Sequence, residues 1–193
     1  MSIAALICAV IAGPASAQHA GHGSASPYAG QQSRAIKSLS EEDIAELRRG
    51  GGWGLAKAAE LNGMPGPAHL LELADQIALD AEQRTAIRAG YESMRDAAIA
   101  EGERLIALER ELDAHFRQRT ITDAELRRLL DAIAASLGRL RYIHLSTHLS
   151  TPSLLTEHQI ARYKALRGYG TNPCDQVPAG HDPALWRKHN DCR

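Results

Sequence analysis

Aromatic residues are scarce in this chain: one Phe, two Trp and five Tyr among 193 positions, 4% of the total. A core without them must be built from Leu, Ile and Ala, which suits helix seams better than sheets, whose strands favour β-branched and aromatic side chains. An excess of charge is also missing. Lys and Arg number 22 and Asp and Glu 23, for a formal charge of −1, so nothing singles out nucleic acid as a partner. The chain contains no phosphate loop, no nucleophile elbow, no H-E-x-x-H motif and no catalytic pair of carboxylates. The expectation is a non-enzyme without a small-molecule substrate.

A membrane-spanning run is lacking too. The one strongly apolar stretch, residues 2–13 "SIAALICAVIAG", is too short to cross a bilayer and leads into the small-residue site Pro14-Ala15-Ser16-Ala17. It reads as a secretory signal peptide, residues 1–17, cleaved after Ala17. One departure is that no Lys or Arg precedes the apolar run. Removal of the signal leaves two cysteines, Cys174 and Cys192, in an oxidising compartment. A disulfide between them would contribute about 3 kcal/mol by loop closure. The competing reading is a metal site made with His181 and His189, which fall between them.

Residues 18–39 are rich in Gly, Ser and Ala without period, and read as a flexible leader whose His19 and His22 are weak metal candidates. Residues 40–66 read as a helical arm. Ser40 is followed by three acidic residues that suit a helix N-terminus, "RRGGGWG" ends that helix, and "NGMPGP" at 62–67 is a break. Trp53 is expected to anchor the arm on the body. Residues 67–170 form the main domain and 171–193 a tail that carries the cysteine pair.

In the main domain Pro67 suits a first helical position, and Leu70, Leu73, Ala74 and Ile77 make a stripe reaching about Ala78. A long helix follows from Asp80 to about Arg117, with a seam of Ile87, Tyr91, Met94, Ala98, Leu105, Leu108, Leu112 and Phe116 that is interrupted near Glu101. Its antiparallel neighbour runs from Asp123 to about Leu149 along Leu126, Leu130, Ile133, Leu137 and Leu140, which places His144 where a core Leu is expected. The fold class is therefore all-α, a hooked antiparallel helical hairpin with flanking shorter helices, four to five helices in all.

Three helix starts carry capping-box chemistry: Asp80 with Gln83, Thr122 with Glu125, and Thr156 with Gln159. His144 and His148 are four residues apart and share a helix face. With the hairpin turn centred near residue 120, His148 lies level with Glu92 and His144 with Asp96, and His69 sits on the helix leading into the same end. Two or three imidazoles and a carboxylate suit a divalent transition metal: Zn, Ni, Co or Cu. The metal candidates are His144, His148, His69 and Glu92. The plainer alternative is a buried His144 hydrogen-bonded to a carbonyl or to Asp96, beside a solvated His148.

Leu155-Thr156-x-x-Gln159 matches the LTxxQ signature, and Leu79-Asp80-x-x-Gln83 matches it with Asp in place of Thr. Over about Pro67 to Gly170 the chain resembles the periplasmic LTxxQ proteins of the Spy/CpxP type, a group that includes CnrX/ZraP-like heavy-metal sensors. The resemblance implies a dimeric helical protein, with metal bound by an H-x-x-x-M pair at the end of the second long helix and by histidines on the helix before the first box. His144 and His148 match that pair, with His replacing Met; His69 falls near the first-helix histidines, of which the second is unmatched. The resemblance also implies a membrane-anchored signalling partner or unfolded client proteins. A metal-independent chaperone or envelope-stress adaptor is the alternative function. Against a basic client cradle, the long helix carries more acids than bases.

Overall fold

The computed structural model describes residues 26–169, 177 and 182–189. The signal at 1–17, His19, His22, Cys174 and Cys192 lie outside the described residues. The chain divides into two compact units, Met1–Gln32 and Ser33–Arg193. In the first, Ser26–Gln32 forms consecutive turns closed by Ala29 N–H to Ser26 O and Gln31 N–H to Tyr28 O.

The second unit is all-α. Its helices are α1 (Glu41–Arg48), α2 (Lys57–Glu60), α3 (Pro67–Glu72), α4 (Ala81–Gln118), α5 (Asp123–Ser150), α6 (Glu157–Leu166) and α7 (Pro183–His189), with a 3-10 turn at Thr151–Leu154 between α5 and α6. Among the described residues there is no β-strand, only an isolated bridge between Ile36 and Leu39.

The α4–α5 hairpin is the frame. At its tip Arg119 takes the left-handed conformation with φ 57°, which stops α4, and Thr122 caps α5 by accepting from Glu125 N–H. The return half of that box does not form, because the Glu125 carboxylate is held by Arg128. Further down, Glu101 on α4 accepts from Ser136 Oγ at 2.6 Å and from Arg139 Nη2 at 2.9 Å on α5. Burial pushes the Glu101 carboxyl up, but the Arg139 and Ser136 hydrogen bonds and the charges of Arg139 and Arg104 outweigh it, and the group sits below its ordinary value. The polar break in the α4 seam is thus a half-buried cross-link to its neighbour.

Two apolar clusters fill the unit. One joins Ile36, Leu39 and Leu47 to Ala98, Leu105 and Ile106 of α4 and to Ile133 and Leu140 of α5. The other joins Leu70, Ala74, Ile77, Leu79 and Ile87 to Tyr163 of α6. Trp53 packs against the first, and its indole Nε1–H donates to Asp43 Oδ1 at 2.8 Å, so it anchors the arm as expected. That bond, joined by those from Ser40, holds the Asp43 carboxyl below its ordinary value.

Three expectations differ. Ile36 and Leu39, placed in the leader, are only 1% and 5% exposed and belong to the core. Each such burial contributes about 1.5–3 kcal/mol, enough to fix a short segment that shows no periodicity. The α5 stripe holds at Ile133, Leu140 and His144, but Leu129 is buried and Leu130 is exposed, as is Phe116 at the end of the α4 seam. Finally, α3 ends at Glu72 and the chain reaches Asp80 through turns, with Ala78 at φ 56°, while Ala74, Ile77 and Leu79 keep their places in the core.

Candidate metal centre

The last turns of α5 hold both hairpin histidines inside the protein; His144 is 3% exposed and His148 5%. His148 Nδ1 lies 2.9 Å from the carbonyl oxygen of Met64. A carbonyl only accepts, so Nδ1 carries the hydrogen and Nε2 is the nitrogen left to face a metal. The approach to α3 makes room for this ring: a Cβ on Gly66 would fall 2.5 Å from His148 Nε2.

His144 Nε2 is buried and has no hydrogen-bond partner. Such a group costs roughly 1–3 kcal/mol when nothing satisfies it. Burial holds the His144 pKa below its ordinary value, His148 lowers it further, and Glu46 offsets part of the effect. The ring is therefore neutral at pH 7. Of the plainer alternative, the burial of His144 holds, whereas Asp96 is exposed and paired with Arg95, and His148 is buried.

The opposite wall comes from the arm and α3. His69 Nε2 lies 3.1 Å from Glu60 Oε1, and its Nδ1 lies 2.9 Å from Glu72 Oε2. Glu60, the last residue of α2, also accepts from Arg167 Nη2 at 3.3 Å and from Tyr169 Oη at 3.1 Å through Oε2. His69, His144, His148, Glu60, Tyr91 and Met94 all line one cavity of about 220 Å³.

Glu92 does not line it. The α4 stripe facing the cavity is Tyr91 and Met94, and the helical turn of about 100° per residue carries Glu92 round to the exposed side. The carboxylate at this site is Glu60. Nothing in the sequence marks it, because it stands nine residues before His69 across the "NGMPGP" break, where no helical period links the two.

The donors form two pairs, His144 with His148 and His69 with Glu60, on different elements. Among the described residues, the one group of three ligand atoms mutually within 4.8 Å lies elsewhere, at the hairpin tip: Glu111, His115 and Glu125. There Arg128 already bridges both carboxylates, and His115 Nδ1 meets Thr120 Oγ1 at 3.0 Å. An arginine between two carboxylates supplies the positive charge that an ion would bring, so the tip is a solvated ion-pair network. The cavity, by contrast, is lined by His144, whose pKa is lowered by burial and whose Nε2 has no partner. Its donor set fits a borderline divalent ion. No family model, curated protein or solved structure matches the chain.

Proposed function

We propose that this is a periplasmic protein that binds a divalent transition metal, Zn, Ni, Co or Cu, and acts in heavy-metal sensing or resistance in the manner of the CnrX-like members of the LTxxQ group. The observation that carries the reading is that His144, whose Nε2 is buried without a partner, lines one cavity together with His148 and His69. A metal would satisfy that nitrogen and use the Nε2 of His148, already freed by the Met64 carbonyl. Because the two donor pairs stand on separate elements, one ion bound by all four would draw α3 and the arm toward α5. Occupancy is thereby converted into shape. The role is binding rather than catalysis, with a second copy of the chain and a membrane-anchored signalling protein as partners.

Calorimetric titration of the protein with each of the four metals, beside a His144→Ala/His148→Ala variant, tests the reading. One site of micromolar affinity or better, absent from the variant, is expected. Lack of binding, or binding unchanged in the variant, would overturn it.

A second reading has its own observation. Tyr142 and Leu149 are each 70% exposed and stand seven residues apart on α5, hence on one face, and Phe116 and Leu130 add exposed apolar surface near the tip. Such a surface favours a metal-independent chaperone or envelope-stress adaptor. It predicts suppression of client aggregation that chelator does not change and that Tyr142→Ser/Leu149→Ser weakens.

A further inference from the structure

Resting on the metal-site reading above, we infer that Glu60 is a metal ligand through Oε1, and that Tyr169 and Arg167 are the residues that position it. Two donors bound to one ion at about 2.1 Å stand roughly 3.0–3.4 Å apart for angles between a right angle and the tetrahedral value. His69 Nε2 and Glu60 Oε1 are 3.1 Å apart. They are already at the separation that cis ligands of a shared ion require, so an ion can replace the contact between them without spreading the pair.

The other oxygen explains why Glu60 offers only one. Oε2 accepts from Tyr169 Oη at 3.1 Å and from Arg167 Nη2 at 3.3 Å, and Arg167 Nη2 also reaches Tyr169 Oη at 3.2 Å. The Arg167 guanidinium stacks over the Tyr169 ring, 5.5 Å from its centroid. This outer layer fixes the carboxylate plane, balances part of its charge and leaves Oε1 to face the cavity. Outer groups of this kind typically change metal affinity by roughly 10–100-fold. Arg167 and Tyr169 follow directly on α6, which ends at Leu166. Ligand orientation at the cavity and the order of the chain leaving α6 are therefore one property, and each must respond to the other.

Zn(II) and Ni(II) titration of the full chain and of three variants separates this inference from the reading beneath it. Glu60→Gln keeps the side chain's size and an acceptor for Tyr169; Tyr169→Phe removes one hydroxyl and keeps the ring under Arg167. Thermal melts of the metal-free variants establish that both fold. Binding about 10-fold weaker or more in Glu60→Gln and about 10-fold weaker in Tyr169→Phe is expected, with amide exchange at Arg167–Tyr169 slowed by metal in the wild-type chain only. Loss of binding in His144→Ala/His148→Ala with wild-type affinity in Glu60→Gln would overturn the inference and leave the site standing. Weakened binding in Glu60→Gln with unchanged affinity and exchange in Tyr169→Phe would overturn the positioning role. No binding to the wild-type chain would remove the site and the inference together.

Discussion

Gln83 and Gln159 exchange hydrogen bonds: the Nε2 of each donates to the Oε1 of the other, both at 2.9 Å. Each Oε1 also accepts from the N-cap backbone of its own box, Asp80 at 3.1 Å and Thr156 at 2.9 Å. The second amide hydrogens go to carbonyls, Gln83 to Leu154 and Gln159 to Ala78. Each of these carbonyls lies two residues before the N-cap of the opposite box. The arrangement is a local two-fold that ties the start of α4 to the start of α6, with every polar atom of both amides in use.

Truncating either glutamine removes a cap and leaves the other amide short of a partner in a partly buried setting. Gln83→Ala and Gln159→Ala should each destabilise the protein by about 1–3 kcal/mol. The double variant should cost less than the sum of the two by about 1 kcal/mol, because the shared pair can be lost only once. Urea unfolding of the four proteins measures this coupling. Strict additivity would mean that the amides cap their own helices and contribute nothing across the junction.

A glycine in mid-helix ordinarily gains about 1 kcal/mol on replacement by alanine. Gly102 should do the opposite. It is buried where α1 crosses α4, and an added Cβ would lie 2.7 Å from the carbonyl oxygen of Leu47, backbone that has no room to move alone. Gly102→Ala is expected to cost about 1–3 kcal/mol. Gly90, on the same helix, has nothing within 4 Å of such a Cβ, and Gly90→Ala should stabilise by up to about 1 kcal/mol. Paired thermal or urea melts check both signs, and stabilisation by Gly102→Ala would mean that α1 is not held against α4.

The hairpin and the caps are legible in the sequence because both are written in short-range signals: a 3.6-residue period and residues three apart at a helix start. Those signals also bring His144, His148 and His69 to one end. Glu60 meets His69 through a loop whose path no period describes, and Ile36 and Leu39 are buried by partners more than 50 residues away on α4. Glu92 fails for a narrower reason, since level position along a hairpin says nothing about rotation round the helix. On α5 the same limit leaves Leu129 and Ser136 unforeseen inside, the latter to answer Glu101, while Ile133, Leu140 and His144 stay on the expected stripe.

His144 gives the protein an acid-side weakness whose sign follows from its surroundings. Burial, then the neighbouring His148, hold its pKa below the ordinary 6.5. As pH falls through 6.5 the unfolded chain takes up a proton at this position that the folded chain refuses, so stability declines from there down to the depressed folded value and is unaffected above. His144→Leu removes the titrating group and restores the apolar side chain that the seam otherwise repeats, while ending the unpartnered Nε2. The variant should therefore be more stable than wild type at pH 7.5, and the margin should widen at pH 5.5. Urea unfolding of the metal-free proteins at both values measures the difference. An equal margin at the two would place the acid sensitivity in other histidines, whereas a widening margin assigns it to His144.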